Sequence, residues 1–284
     1  MTEENTAQAA DAARGYYETA DVDGFYATVW GGEDIHTGIY TDPREAIGAA
    51  SRRTVERVAA KAAGLLGPGR TVLDMGSGYG GAARYLAARF GCRVVAVNIS
   101  EAQNRRHREI NAARGLDGLV EVVTGSFNDI PAPDGRFDVV WSQEALCHSG
   151  DRTRTLSEAA RVLRPGGELV FTDIMATGDA PAGELAPLTA RLAVGELATP
   201  GFYRRRLDEL GMARVDFENL SDHLLTHYVR LTEEVQERGE ELTDAISPAY
   251  LDRLRENLPL WVRAARNGHL VWGIFHAVTG DSGQ

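Results

Sequence analysis

A glycine-rich loop directly after a short apolar run constrains the fold of this chain more than any other feature. The apolar run "VLDM" (72–75) precedes "GSGYGG" (76–81), and "AARYLAARF" (82–90) then shows helical spacing. This order predicts a strand, a tight turn and an amphipathic helix. Glycines at such a turn let the backbone approach a ligand closely at the helix N-terminus.

Four further strand patterns follow the loop: "CRVVAVNIS" (92–100), "LVEVVTGS" (119–126), "FDVVWSQ" (137–143) and "GELVFTDI" (167–174). Helical patterns separate them. Ser100 is a favoured residue at a helix start, and a helix is predicted from Arg152 to Leu163, ending at the turn "RPGG". Apolar strands that alternate with helices at short spacing are typical of a parallel sheet covered on both faces.

The C-terminal part of the chain has a looser pattern. Residues 175–187 are predicted to be a loop, 199–212 a capped helix, 213–220 a sixth strand and 269–278 the last strand. A charged helical region at 232–265 is interrupted by Pro248 and Pro259. We therefore predict a doubly wound, mostly parallel, seven-stranded α/β sheet, with a core domain at 51–284, a helical cap inserted at about 221–268 and an N-terminal helical lid at 1–50.

Composition excludes several classes of function. The net charge of −11 disfavours binding to nucleic acid, which requires phosphate neutralisation. Two cysteines, Cys92 and Cys147, make no disulfide framework, and no apolar run approaches the ~18 residues of a membrane span. The first residues lack a secretory signal pattern, so we expect a cytoplasmic protein without membrane or nucleic-acid partners. Whether it is a monomer or a homodimer stays open.

Asp74 distinguishes between two interpretations of the glycine loop. The glycines fit both G-x-G-x-x-G, the dinucleotide fingerprint, and G-x-G-x-G. A carboxylate at Asp74 would repel a pyrophosphate and attract an ammonium or sulfonium group, and S-adenosylmethionine (SAM) carries both. The alternative is that Asp74 only caps the loop. Asn98, 22 positions after Gly76, can bond a ribose hydroxyl but does not separate SAM from NADP.

Five ordered motifs between Val72 and Asp173 resemble class I SAM-dependent methyltransferases: "VLDMGSGYGG", "VAVNISEAQ", "GSFNDIP", "FDVVWSQEALCHS" and "RVLRPGGELVFTD". The resemblance implies a Rossmann-like methyltransferase fold, SAM as cofactor and S-adenosylhomocysteine as product. No metal is expected, because no His, Asp or Glu cluster in the sequence shows ligand spacing. The resemblance also implies that Asp74, Gly76 and Gly78 contact the methionine end of SAM and that Asn98, Ile99 and Gln103 contact the ribose. Ser126, Phe127 and Asn128 would flank the adenine, and Gln143 would lie behind the sulfur.

The segment from Tyr16 to Tyr40, with "WGGEDIH" at its centre, resembles a narrower group, the sarcosine/dimethylglycine N-methyltransferases that make glycine betaine. "SRRTVERV", "TPGFYRRRL" and the closing "WGIF" are similar to the same group. Thr37 and the stretch "EALCHS" (144–149) depart from its usual pattern. The implied activity is methylation of sarcosine, dimethylglycine or both, with residues 16–40 forming a lid hinged at Gly31 and Gly32.

This chemistry needs an unprotonated acceptor nitrogen and a surface that stabilises cations. The candidates for acid–base work are Glu33, His36, Glu144 and His148. Aromatic rings that would contact the cofactor or the cationic substrate are Tyr17, Tyr26, Trp30 and Trp141, and Tyr203 with Arg204 would bind the substrate carboxylate. Each of these residues also has a structural alternative, because rings pack, histidines are satisfied inside cores and acids cap turns.

Two other functions stay open from the sequence. The altered "EALCHS" stretch favours a natural-product methyltransferase with another amine, carbon or oxygen acceptor. A catalytically silent SAM-binding protein is the alternative from a different class, although it would not need the acids, histidines and aromatic residues listed above.

Overall fold

The computed structural model describes residues 15, 19–30, 33–191 and 194–280. The predictions for Tyr17 and for the hinge at Gly31 and Gly32 therefore lie outside the described residues. Within them the chain forms one seven-stranded sheet, with the strands β1 Thr71–Met75, β2 Arg93–Asn98, β3 Val120–Thr124, β4 Phe137–Gln143, β5 Leu163–Ala176, β6 Met212–Asn219 and β7 Leu270–Thr279.

The strand order is β3-β2-β1-β4-β5-β7-β6. The first five strands are parallel, and β7 runs antiparallel between β5 and β6. β4 is buried along its whole length, as expected for a strand covered on both faces. The predicted α/β fold class is confirmed. The parallel strands of the sheet all end at one edge. The order in which the chain lays down the strands reverses between β1 and β4, and open sheets of this kind bind ligands at such a point.

Helices cover both faces of the sheet: α1 Ala20–Val29, α2 Ile47–Lys61, α3 Gly81–Phe90, α4 Glu101–Ala113, α5 Arg152–Val162, α6 Ala182–Arg191, α7 Pro200–Glu209, α8 Ser221–Glu237, α9 Gly239–Leu242 and α10 Pro248–Arg266. Side-chain caps fix several starts. Ser100 accepts a hydrogen bond from Gln103 N at 3.3 Å, as the sequence predicts, and Thr199 accepts one from Phe202 N at 3.1 Å.

The structure differs from the sequence prediction in three places. Helix α6 includes the last six residues of the predicted loop, 182–187, because its Leu185 and Leu188 are buried among other apolar side chains. The predicted turn at "RPGG" is instead part of β5, which absorbs the extra residues as a bulge opposite β4. Pro259 lies inside α10 without interrupting it, since burial of Leu258 and Trp261 outweighs the missing backbone donor.

Helix α1 packs against the helices inserted before β7. Val22 and Phe25 share one apolar cluster with residues of α8 and α10. Asp21 accepts hydrogen bonds from Ser247, at 2.6 Å from its N–H and 2.7 Å from its hydroxyl. A Cβ on Gly24 would lie 2.2 Å from the carbonyl oxygen of Ala245, so only glycine permits this approach.

The boundary between lid and core at residue 50 and the limits of the cap stay predictions. No helix in the described part of the chain is long and apolar enough to cross a membrane.

Candidate active site

A cavity with an empty volume of about 800 Å³ opens at the carboxyl ends of β1, β2, β3 and β4. We call it the larger cavity. It is lined by Glu33, Ile35, His36, Gly76, Ser77, Gly78, Asn98, Ile99, Gln103, Gly125, Ser126, Phe127, Asn128, Gln143, Glu144, Ala145, His148 and Ser149. Most of these residues directly follow a strand, so the sheet itself fixes their positions.

The glycine turn after β1 forms one wall of the larger cavity. Gly76 has φ +77°, and a Cβ placed there would lie 2.3 Å from the Cβ of Ala145. Gly78 has φ +52°, which also favours glycine. Both glycines line the larger cavity without a side chain, so the backbone forms this part of its wall.

Asp74 is the penultimate residue of β1, behind this turn, and is 3% exposed. Its Oδ2 has no hydrogen-bond partner in the described structure. Burial raises the pKa of this carboxyl to about 7. Asp74 does not itself line the cavity, yet a buried carboxylate with an unused oxygen next to a ligand loop suits a cationic group and repels a phosphate.

Two further walls come from the ends of β2 and β3. Asn98 donates a hydrogen bond from Nδ2 to Gln103 Oε1 at 3.0 Å, so the two amides are held together at the cavity. Asn128 is also fixed, because its amide donates to Ser149 O and accepts from the Thr155 hydroxyl. Nine predicted cofactor residues line the larger cavity: Gly76, Gly78, Asn98, Ile99, Gln103, Ser126, Phe127, Asn128 and Gln143.

A second, smaller cavity of about 540 Å³ adjoins the first and shares Ile35, Glu144 and His148 with it. Its other lining residues are Tyr26, Trp30, Cys147, Asp173, Ile174, Leu197 and Tyr228. Three aromatic rings and two carboxylates around a small volume suit a compact cation. Tyr26, predicted as a cofactor contact, and Trp30, predicted as a contact of both cofactor and substrate, line only this smaller cavity.

Glu144 stands at the junction of the two cavities with a φ of +51°, the one non-glycine residue with a positive φ in the described segments. Such backbone strain is common where a side chain must be aimed. Oε1 accepts hydrogen bonds from Thr37 N and Trp272 Nε1, both at 3.0 Å, and Oε2 accepts one from the Thr37 hydroxyl at 3.0 Å. Burial nevertheless raises its pKa to about 7.

The two predicted histidines lie at the cavities as neutral imidazoles. Burial lowers the pKa of His36 to about 3 and that of His148 to about 4. Both line the larger cavity, and His148 also lines the smaller one. A neutral imidazole has a nitrogen that can accept a proton, whereas an imidazolium has none.

Polar contacts link the segment that contains Glu33 and His36 to α3, the helix after the glycine turn, and to the end of α1. Trp30 Nε1 donates to the carbonyl oxygen of His36 at 2.9 Å. Glu33 pairs with Arg84 of α3 at 3.2 Å and with Arg114. Since two arginines engage its carboxylate, Glu33 fits a role in holding this segment better than a role as a proton acceptor.

The comparisons with known proteins agree with this architecture. Residues 73–171 match the family model described as "Methyltransferase domain". The chain is 48% identical over 269 residues to the sarcosine/dimethylglycine N-methyltransferase of Halorhodospira halochloris, covering 95% of this chain and 96% of that protein. The chain belongs to the sarcosine/dimethylglycine N-methyltransferase family.

Two other members extend the comparison. The glycine/sarcosine/dimethylglycine N-methyltransferase of Actinopolyspora halophila is also 48% identical to this chain. The match covers 95% of this chain and 47% of that longer protein. The crystal structure of a putative sarcosine dimethylglycine methyltransferase from Galdieria sulphuraria superposes with a TM-score of 0.85 at 36% identity, covering 91% of this chain and 98% of that one. The protein is therefore a SAM-dependent methyltransferase.

The described site fits the cofactor of this methyltransferase family. The unused Oδ2 of Asp74, the glycine turn and the paired amides of Asn98 and Gln103 match the ammonium, the carboxylate and the ribose hydroxyls of SAM in kind. When bound, SAM supplies a methyl group on a positively charged sulfur. Within the described residues, no group of three or more His, Cys, Asp or Glu side chains could hold a metal ion.

Three residues predicted to bind the methyl acceptor line neither cavity of this methyltransferase. Trp141 is fully buried in β4, two residues before the strand end, and packs in the core. Arg204 is exposed on α7 and stacks on Phe217 at 6.0 Å, because its helix presents it to β6. Tyr203 lies behind the smaller cavity and donates to Asp173 Oδ2 at 2.6 Å. We therefore remove all three from the direct acceptor contacts.

Sequence reasoning missed residues that hold this site. Asp173 lines the smaller cavity near the end of β5, and Thr37 and Trp272 position Glu144. Asp173 could have been found by the rule that identified Asp74, since both are acids near the carboxyl end of an apolar strand. Trp272 could not, because nothing in its local sequence indicates a contact 128 positions away.

Proposed function

We propose that this protein transfers the methyl group of SAM to the nitrogen of sarcosine and of dimethylglycine, with glycine betaine as the final product. One observation carries the proposal: the larger cavity joins, through Glu144 and His148, a small cavity lined by aromatic rings and carboxylates. Relatives that span nearly the whole chain and carry this activity in their names support the choice of acceptor.

The cofactor would lie along the strand ends in the larger cavity. In this proposal Asp74, Gly76 and Gly78 hold the methionine end, and Asn98, Ile99 and Gln103 hold the ribose. Ser126, Phe127 and Asn128 would surround the adenine, with Asn128 as a packing contact because its side chain and its backbone groups are already hydrogen-bonded. Gln143, at the end of β4, would lie behind the sulfur.

The acceptor would lie in the smaller cavity against Tyr26, Trp30 and Tyr228. A well-placed ring stabilises a cation by about 0.5–2 kcal/mol, which favours both the sulfonium and the ammonium product. The acceptor nitrogen has a pKa of about 10 in water, like an alkyl amine, so it must lose a proton before it can attack. His148 and Glu144, at the junction of the cavities, are candidates to receive that proton directly or through water.

Residues 1–50 would act as a lid over this site. Three contacts favour that role: Trp30 bonded to His36, Glu33 paired with Arg84, and Thr37 bonded to Glu144. A closed lid excludes water, which would otherwise solvate the acceptor amine. We further propose that the protein works in the cytoplasm on small amines, without membrane or nucleic-acid partners.

The test is an acceptor screen with purified protein and SAM. Sarcosine and dimethylglycine are each incubated with isotopically labelled SAM, and the products are identified by mass spectrometry. We expect labelled dimethylglycine and labelled betaine. Turnover of phenols, carbon acids or unrelated amines in place of these two would assign the chain to natural-product methylation instead.

A further inference from the structure

The smaller cavity is lined by two carboxylates, which differ in whether each of their oxygens already accepts a hydrogen bond. Both oxygens of Glu144 accept hydrogen bonds, from Thr37 and Trp272. Oδ2 of Asp173 accepts a hydrogen bond from the Tyr203 hydroxyl, whereas Oδ1 has no hydrogen-bond partner of normal geometry among the described residues. An unsatisfied buried carboxylate oxygen costs free energy unless a ligand completes it.

The surroundings of Asp173 hold its side chain in place. It is fully buried in β5, and the Tyr203 hydroxyl, 2.6 Å away, fixes the orientation of the carboxylate. Arg152 of α5 donates hydrogen bonds to two backbone carbonyl oxygens, Cys147 O at 3.3 Å and Glu196 O at 2.6 Å. Its positive charge acts on Asp173 without replacing the missing donor at Oδ1.

We propose that Asp173 Oδ1 binds the acceptor nitrogen and receives its proton, with Tyr203 and Arg152 as positioning residues. This inference rests on the proposed function, because it assumes an amine acceptor in the smaller cavity. It differs in assigning the proton to Asp173 rather than to His148 or Glu144; the oxygens of Glu144 already accept from three donor groups.

The step balances in atoms and charge. The ammonium form of the acceptor gives its N–H proton to Asp173 Oδ1, which frees the nitrogen lone pair. That pair forms the new nitrogen–carbon bond, and the electron pair of the broken carbon–sulfur bond stays on sulfur as a neutral thioether. The proton passes from Asp173 to water when the product leaves, which restores the carboxylate.

The titratable and charged groups around Asp173 set the direction of its pH response. They are Arg152, Tyr203, Glu144, Cys147 and His148. Burial raises the pKa of Asp173 to about 6, while Arg152 and the Tyr203 hydroxyl act in the opposite direction. Activity that needs the carboxylate therefore falls as the pH drops through this region, and loss of the Tyr203 hydroxyl moves the fall to higher pH.

The test compares Asp173→Asn with Asp216→Asn, a matched change at an exposed position of β6. We expect Asp173→Asn to lower kcat/KM for dimethylglycine by about 100-fold, within the range of general base catalysis. Binding of dimethylglycine to the complex with S-adenosylhomocysteine, measured by calorimetry, should weaken by about tenfold. The Kd of Asp173→Asn for SAM should stay within about threefold of that of the original protein. The activity of the control Asp216→Asn should also stay within about threefold of the original activity.

A second variant keeps the inference testable if Asp173→Asn does not fold. Tyr203→Phe retains the ring and removes only the hydroxyl, so the acidic limb of its kcat/KM profile should move to higher pH. An unshifted limb in folded Tyr203→Phe, or an Asp173→Asn variant within threefold of the original protein, would overturn the assignment. If the unaltered protein methylates neither sarcosine nor dimethylglycine, the proposed function fails first, which is a distinguishable result.

Discussion

The two cavities are built in different ways. The larger cavity is formed mainly by residues that follow β1, β2, β3 and β4, so backbone geometry and short polar side chains create it. The smaller cavity draws single side chains from α1, β5, α8 and the loop before α7. Backbone-built sites tolerate few changes, whereas a site assembled from separate side chains can be altered one contact at a time.

The largest contrast should come from the glycine turn. We expect Gly76→Ala to weaken SAM binding by about 100-fold, or about 2.7 kcal/mol, because the new Cβ would lie 2.3 Å from that of Ala145 on a backbone with φ +77°. Calorimetric titration with SAM measures this, with thermal unfolding to check that the variant folds. The control is Gly118→Ala, where nothing lies within 4 Å of the added atom. Equal affinities in the two variants would show that the turn does not approach the ligand.

Asp74 should couple stability to cofactor binding. Burial raises its pKa from 3.8 to about 7, so the ionised carboxylate destabilises the free fold increasingly as the pH rises from about 4 to about 7, and by a constant amount above that. Asp74→Asn removes that penalty, which is up to about 4 kcal/mol at pH 8. The unpaired amide that replaces the carboxylate costs about 1–3 kcal/mol. We expect an equal or higher Tm for the free variant and about tenfold weaker SAM binding. A lower Tm together with unchanged SAM affinity would mean that Asp74 only supports the loop.

The same contrast explains how much could be predicted from the sequence. The strands and the glycine turn follow from short local patterns. The nine residues that the methyltransferase resemblance implies as cofactor contacts line the larger cavity, because consecutive strand ends meet at one sheet edge. The acceptor residues depend on distant packing. Trp141 is only two residues from its strand end yet lies in the core, and Arg204 sits on the outer face of α7. Periodicity gives the direction of a side chain, but not the depth of the element that carries it.

A change in the smaller cavity should separate the two sites. Trp30→Ala is expected to lower kcat/KM for dimethylglycine by about tenfold, since a ring facing a cation contributes about 0.5–2 kcal/mol and the ring also bonds the His36 carbonyl. The Kd for SAM should change by less than about threefold, because Trp30 does not line the larger cavity. Trp30→Phe, which keeps an aromatic face, should recover part of the loss. A parallel loss of SAM affinity would show that the two cavities act as one site.

The smallest expected effect concerns the contact that joins the proposed lid, through Thr37, to Glu144 at the junction of the cavities. Thr37→Val keeps the backbone N–H to Glu144 and removes the hydroxyl bonded to Oε2 at 3.0 Å. Because that hydroxyl lowers the pKa of Glu144, which lies at about 7, its loss should raise the pKa further and leave less carboxylate at neutral pH. We expect kcat/KM to fall about threefold at pH 6.5 and to return towards the original value at pH 8.5. The matched control is Thr153→Val, at an exposed position of α5. A loss of the same size at both pH values would mean that the hydroxyl holds the lid in place rather than tuning the charge of Glu144.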